Sequence, residues 1–199
     1  MKDKGYIVKR LLIIISVLFI TSCSSITPEP PLPAQQKLSW GARKHILSSL
    51  QSWQLSGKIA VRTANDSGSA SIDWAQKPNQ FTISLLGPLG TNGLKLNGKP
   101  GQVTMVTAEG KQFTAKSAEQ LLAEQWGFNL PVSYLYYWVR GLPAPDSGHT
   151  EKMDSWQRLT SLSQRGFRIE YLAYTRTSMI DLPAKMTITS PTLKTKIII

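Results

Sequence analysis

Residues 81–96 read FTISLLGPLGTNGLKL. Phe81, Ile83 and Leu85 alternate with Thr82 and Ser84, and Leu94 and Leu96 resume the alternation after a turn. A period of two marks a half-buried strand, so this stretch predicts a hairpin. The turn Gly87-Pro88-Leu89-Gly90-Thr91-Asn92-Gly93 contains the residues that reverse a chain. Leu89 is the exception, a large apolar side chain in a segment that should face water.

The same pattern extends outward on both sides. Trp53, Leu55, Ile59 and Val61 alternate with Gln54, Lys58 and Arg62. Ala70, Ile72 and Trp74 follow a turn at Asn65-Asp66-Ser67-Gly68, and Pro78-Asn79 leads into the hairpin. Gly98-Lys99-Pro100-Gly101 reverses the chain again before Val103 and Met105, and Phe113 and Ala115 follow Glu109-Gly110. Further strands are predicted at 155–163, 167–174, 184–189 and 193–199, with a polar loop running through Thr150. About ten short strands joined by tight turns predict an antiparallel meander.

Three helices interrupt it. Ser39 to Gln51 places Ile46, Leu47, Leu50 and Trp53 near one face. Ser117-Ala118-Glu119-Gln120 is a capping box, and Gly127 should end that helix. Pro131 suits the first turn of a third helix, ended by Gly141, with Tyr134, Leu135 and Trp138 on one face. The fold class is α+β. Periodicity leaves two forms open: helices packed flat on a filled core, or a sheet curled into a half-barrel with helices over its mouth.

The N-terminal residues address location. Lys2, Lys4, Lys9 and Arg10 precede the apolar run Leu11–Ile20, too short to span a bilayer and suited to a signal peptide. Ile20-Thr21-Ser22-Cys23 resembles a bacterial lipobox, which implies cleavage after residue 22 and acylation of Cys23. Ser24, where an aspartate would resemble an inner-membrane retention signal, favours the outer membrane. Residues 23–37, with Pro28, Pro30, Pro31 and Pro33, form a lipid-bearing tether whose fourteen residues past the cysteine reach about 40 Å at about 3 Å each. Residues 38–199 make a single domain. Cys23 is the only cysteine, so no disulfide forms within the chain.

Lys and Arg outnumber Asp and Glu, 23 to 12. Four of these bases and one acid precede residue 23, leaving 19 against 11, a surplus of eight. The bases are scattered and carry no nucleic-acid fold signature. A basic solvated surface, an acidic partner and anionic lipid all fit the surplus. His45 and His149, the two histidines, lack the neighbours of a metal site. No nucleophile elbow, phosphate loop or zinc-protease motif is present. Asp73 and Glu170 on apolar strands read as solvent-face charges. No catalytic residue, metal or cofactor is predicted.

The lipobox, the Pro-rich tether, Pro88-Leu89-Gly90, Pro100-Gly101, Gly141-Leu142-Pro143, Leu182-Pro-Ala-Lys-Met186 and the lysine-bearing last strand resemble, in order and spacing, the LolB family of outer-membrane lipoprotein receptors. The resemblance runs from Cys23 to near the end. It implies an open half-barrel with about three helices over its mouth and an apolar cavity. It also implies a monomer, anchored at the periplasmic face of the outer membrane, that takes a lipoprotein's acyl chains from the soluble carrier LolA and delivers them to outer-membrane lipid. Leu89, in a loop set by Gly87, Pro88 and Gly90, matches the exposed leucine important for delivery in that family. Some relatives continue beyond the last strand, past the position that matches Ile199. The expected cavity residues are Ile59, Val61, Trp74, Phe81, Ile83, Leu85 and Met105, with Tyr134 and Trp138 on the lid. The competing readings are a lipid or glycolipid carrier lipoprotein of similar fold, and a structural envelope lipoprotein with a filled core.

Overall fold

The alternation at 81–96 does form a hairpin, and its neighbours extend it into one sheet. The computed structural model describes residues 37–199 apart from 91, 92, 128 and 146. The expected signal peptide over 1–22, Cys23 and the tether up to residue 36 lie outside the described residues. The strands are β1 Trp53–Arg62, β2 Ser67–Lys77, β3 Gln80–Leu86, β4 Leu94–Lys99, β5 Gln102–Thr107, β6 Gln112–Ala115, β7 His149–Met153, β8 Leu159–Gln164, β9 Phe167–Thr175, β10 Leu182–Thr189 and β11 Lys194–Ile198. The helices are α1 Trp40–Ser49, α2 Ala118–Trp126 and α3 Val132–Trp138.

All eleven strands form one antiparallel sheet in the order β6-β5-β4-β3-β2-β1-β11-β10-β9-β8-β7. Each strand pairs with its chain neighbour except β6 and β7, and one further pairing joins the ends of the chain. The segment 116–148, which carries α2 and α3, separates β6 from β7, and β11 returns to pair with β1, joining the two wings at the centre. The β1–β11 approach is close: a Cβ on Gly57 would meet the Ile198 carbonyl, so glycine is required there. The sheet does not close into a barrel, since β6 and β7 are its edges. Buried side chains from both wings, Leu55, Ile72, Ile83 and Leu96 on one and Leu162, Ile169, Met186 and Ile188 on the other, fall in one cluster. The sheet therefore wraps a single interior.

Strand β7 was not expected. Its residues His-Thr-Glu-Lys-Met carry polar side chains, as an edge strand allows, so the segment around Thr150 reads as loop. The strand expected from 155 begins at Leu159, because Asp154 holds a tight turn. Its Oδ1 accepts from the Trp156 and Arg158 amides at 2.8 and 3.0 Å, and Gln157 takes φ 59°.

Helix ends follow local chemistry. The Ser39 Oγ accepts from the Ala42 amide at 3.2 Å, and the Ser117 Oγ from the Gln120 amide at 3.2 Å. Gln120 reaches back to the Lys116 amide at 3.4 Å, and Gly127 ends α2 at φ 69°. Pro131 caps α3 rather than entering its first turn, and α3 gives way after Trp138 to tight turns ending at Gly141.

The three expected helices are present, with α2 and α3 packed on the inner face and α1 reaching the same cluster through Trp40. Apart from Trp40, α1 packs through Leu47 against Leu142 and Ile180 in a separate small cluster. The reason is connectivity. Ile180 lies in the β9–β10 loop, at the sheet end opposite the Pro88–Gly90 turn, and α1 caps that end.

Candidate functional site

The inner face of the sheet is an apolar trough covered by two short helices. Seven of the nine expected cavity residues lie on it, and Tyr134 and Trp138 meet them from α3. Ile59, Trp74, Ile83, Met105 and Trp138 are buried, and Val61, Phe81, Leu85 and Tyr134 are half-buried against them. Equivalent residues on the other wing were missed as lining: Leu162, Ile169, Met186, Ile188 and Ile197 are almost completely buried. Their own alternation was the available signal. From the helices, Leu121, Leu122, Leu135 and Val132 complete the contact.

This trough is packed. Met105 and Trp138 have no exposed surface, so no water-sized space adjoins either side chain. Two recesses among the described residues lie elsewhere, one around Gln164–Arg168 and Thr189–Pro191, the other around Gly101–Gln102 and Thr114–Lys116. An acyl chain at Met105 or Trp138 would need room made between the sheet and α2–α3.

A few polar groups hold that cover down. The Trp138 indole Nε1 donates to the Gln164 Oε1 at 2.9 Å, and the same oxygen accepts from the Ala144 amide at 2.9 Å. The Gln164 Nε2 donates to the Ala144 carbonyl at 2.8 Å and to the Ser147 Oγ at 2.9 Å. The Tyr171 hydroxyl donates to the Trp138 carbonyl at 3.1 Å, and complete burial pushes its pKa well up. The Ser133 amide donates to the Glu119 Oε1 at 2.7 Å and ties α3 to α2. On the other side Tyr136 stands 6.0 Å from the Trp53 ring, which stands 5.0 Å from Trp74. Thus α3 bridges the β1–β2 wing to the β8–β9 wing.

Arg140 fastens α3 to α1. The guanidinium, 4% exposed, donates to the Tyr136 carbonyl at 2.9 Å and to the Leu47 and Leu50 carbonyls at 3.0 and 2.9 Å. It also lies 4.0 Å from the Tyr136 ring centre. Burial lowers its pKa, against the opposing pull of Tyr136 and Tyr137. Leu47 and Leu50 end α1, where the Leu47 carbonyl also accepts from the Leu50 amide at 3.3 Å and the dipole favours a cation. Nearby, Arg43 donates to the Asp181 carbonyl at 2.8 Å, and Arg158 bridges Asp154 and Asp181 at 2.7 and 3.0 Å. Neither Gln164 nor Arg140 was singled out from sequence. Gln164 sits in Ser-Gln-Arg-Gly, which reads as a polar turn, and its buried role depends on Trp138, 26 residues away.

The turn after β3 is a single tight helical turn, Pro88–Gly90, closed by the Gly90 amide donating to the Gly87 carbonyl at 3.1 Å. Gly90 takes φ 78°, a left-handed conformation suited to glycine. Leu89 occupies the middle of this turn. Leu86, just before it, is 50% exposed. Two other sequence candidates are surface charges, as expected. Asp73 accepts from the Ser56 hydroxyl at 2.7 Å, and Glu170 pairs with Arg168 at 3.2 Å, both in exposed settings. His149 begins β7 rather than lying in a loop, 3.5 Å from Glu151.

The family model for the outer membrane lipoprotein LolB matches residues 51–199, the whole sheet with both covering helices. The chain belongs to the LolB family. An outer-membrane lipoprotein LolB of Pseudomonas syringae pv. syringae is 37% identical over 179 residues, covering 89% of this chain and 87% of the relative. That of Pseudomonas putida strain GB-1 is 45% identical over 147 residues, 74% of this chain and 72% of the relative. That of Stutzerimonas stutzeri is 36% identical over 194 residues, 97% and 94% of the two chains. A crystal structure of a DUF1329 family protein from Desulfovibrio piger shares the fold. Its TM-score is 0.51 at 7% identity, over 80% of this chain and 88% of that one. The open sheet found here is thus a LolB-family sheet, and the resemblance drawn from the turn motifs is upheld over the full length of the domain.

Proposed function

We propose that the chain is an outer-membrane-anchored receptor. It accepts lipoproteins from the soluble periplasmic carrier LolA onto its apolar inner face and passes them to the outer membrane. The observation that carries this is the trough itself, an apolar surface shared by both wings of an open sheet and covered only by two short helices. Cys23 is the proposed anchor, and the proline-rich segment a tether between lipid and domain.

The physical demand fits. A buried methylene is worth about 0.8 kcal/mol, so moving one chain of about fifteen methylenes into water costs roughly 12 kcal/mol. Cargo with several chains must pass from one apolar surface to another in contact. The trough offers such a surface once α2 and α3 give way, and the acyl chains then replace the helices against Met105, Ile83 and Trp74. Such a hand-over requires no covalent step.

Leu89 is proposed to enter the lipid interface at delivery. The Pro88–Gly90 turn lies at the sheet end opposite α1, where the tether joins. Strand β1, of ten residues, spans about 33 Å, within the tether's expected reach of about 40 Å. A domain anchored at its α1 end can therefore tip its turn onto the bilayer.

The test mixes the protein with carrier loaded with lipoprotein and follows the cargo. Transfer to the protein, then to vesicles, is the expected result. Cargo that stays on the carrier while free phospholipid is taken up would make the protein a lipid carrier instead.

A further inference from the structure

The outer face of the sheet carries a cross-strand row that neither the motifs nor the trough explains. Register places Arg62 opposite Lys194, Lys194 opposite Thr189, Thr189 opposite Arg168, Arg168 opposite Ser163 and Ser163 opposite Thr150. All six are exposed. Each side chain in this row can donate a hydrogen bond, three are cationic, and none is a carboxylate. Six strands at about 4.8 Å make the row about 24 Å long. It is the last full row before the turns at 165–166 and 190–193, and it lies at the same sheet end as Pro88–Gly90.

The row also borders a recess of about 600 Å³, whose lining includes Thr150, Ser163, Arg168 and Thr189 from the row and Arg165 from the β8–β9 turn. Among the described residues no Asp or Glu lines it. Arg168 shares its charge with Glu170 at 3.2 Å, and Arg165 lies 5.6 Å from the Tyr134 ring centre. Two acids in nearby turns at this end are engaged locally. Asp66 accepts from the Ser67 amide and Glu109 from the Thr107 hydroxyl, each at 2.7 Å.

We infer that this row and recess form a docking surface for the anionic phosphate headgroups of a phospholipid bilayer. Phosphate oxygens are acceptors that match a row of donors and cations. The row is far longer than one soluble phosphate, which points to an extended anionic surface. Its position beside the Pro88–Gly90 turn and the exposed Leu86 puts charge attraction and apolar contact at one end of the domain. The surface rests on the reading that the domain works at a membrane and adds to it the lipid class and the side chains that orient the domain there.

The test uses the chain from Ser24 onward, which lacks the acylated cysteine and retains the whole of the unit Ala34–Ile199. Sedimentation with vesicles of phosphatidylcholine alone is compared with phosphatidylcholine containing phosphatidylglycerol. Binding is expected only to the anionic vesicles and is expected to weaken with salt. Each cation at an anionic surface contributes about a fivefold factor, so Arg168→Gln with Lys194→Gln should lower partitioning about twenty-fivefold. The control removes two exposed charges elsewhere, Lys58→Gln and Lys99→Gln. Lys58 is four residues from Arg62, about 13 Å along β1 and beyond the screening length of about 8 Å, and Lys99 ends β4 at the opposite side of the sheet. The control should lose no more than about twofold. Equal binding to neutral vesicles, an unaffected Arg168/Lys194 variant, or an equal loss in the control overturns the proposal. So does a row needed for contact with an acidic carrier protein but not for vesicles. Uptake of lipoprotein cargo is measured separately. Docking without uptake leaves this surface standing and sinks the receptor reading, and uptake without docking does the reverse.

Discussion

Replacing Arg140 by alanine should release α1 while leaving the sheet folded. Three hydrogen bonds are lost, to the Tyr136, Leu47 and Leu50 carbonyls. Bonds to a charged donor are worth about 1.5–3 kcal/mol each, a gross of about 5–9 kcal/mol. Removing a buried guanidinium also removes its desolvation penalty of several kcal/mol, which offsets much of that. What remains is the damage left behind. The Leu47 carbonyl keeps the Leu50 amide as a donor at 3.3 Å, so losing its buried bond to Arg140 costs about 1 kcal/mol, and water reaches the part-buried sites at Leu50 and Tyr136. The cation stacked on Tyr136 adds up to about 2 kcal/mol. The net loss is about 1–3 kcal/mol, less than the 5–15 kcal/mol that holds a typical domain. For a domain of this size that lowers Tm by about 2–12 °C. Thermal unfolding reads the loss, and amide exchange across Trp40–Ser49 shows where it falls. Arg140→Lys keeps the charge but lacks the planar fork, so it should recover less than half. A loss below about 1 kcal/mol, or α1 amides exchanging as in the wild type, would refute the assignment of Arg140 as the clasp between α1 and α3.

Four further outcomes follow from the same contacts. Leu89→Glu should fold and take up lipoprotein but deliver it poorly to liposomes, because inserting a leucine gains about 1.5–3 kcal/mol and a charge resists entry. Delivery at the wild-type rate would make Leu89 an ordinary turn residue, and failed uptake would place it in the trough. Gly57→Ala should destabilise by about 1–3 kcal/mol in urea unfolding, since its Cβ meets the Ile198 backbone, which has no side-chain freedom to yield. Gln164→Ala strands the Trp138 indole and should cost about 1–3 kcal/mol while raising the affinity for an apolar fluorescent probe, as the cover over the trough loosens. At high pH, burial holds the pKa values of Tyr171 and Tyr174 above the ordinary value of about 10. Their contribution to stability is complete below pH about 10 and is lost as pH rises beyond it; phenolate absorbance should therefore show two tyrosines ionising only together with unfolding.

Much of this protein was legible in one dimension because its strands are half-buried. Where a strand has one wet face and one dry face, as at Phe81–Leu85 or Trp53–Val61, alternation names both the element and its direction. Turn residues and caps are equally local: Ser117, Gly127 and Gly90 act through angles and atoms within a few residues. The order and spacing of such signals were enough for the family resemblance. Elements without that contrast escaped. Strand β7 is an edge whose alternation is blurred by polar residues, and the turn at Asp154 shortened β8 through hydrogen bonds that composition does not display. Three decisions belonged to the tertiary structure alone. Pairing of β11 with β1 joins chain segments more than a hundred residues apart and makes one trough of two wings. The cover over that trough is set by Gln164 and Arg140, polar residues whose partners lie 26 and 93 residues away. The donor row from Arg62 to Thr150 exists only after register aligns six strands. Periodicity reports a residue's face, while the neighbour across the sheet depends on how the chain returns.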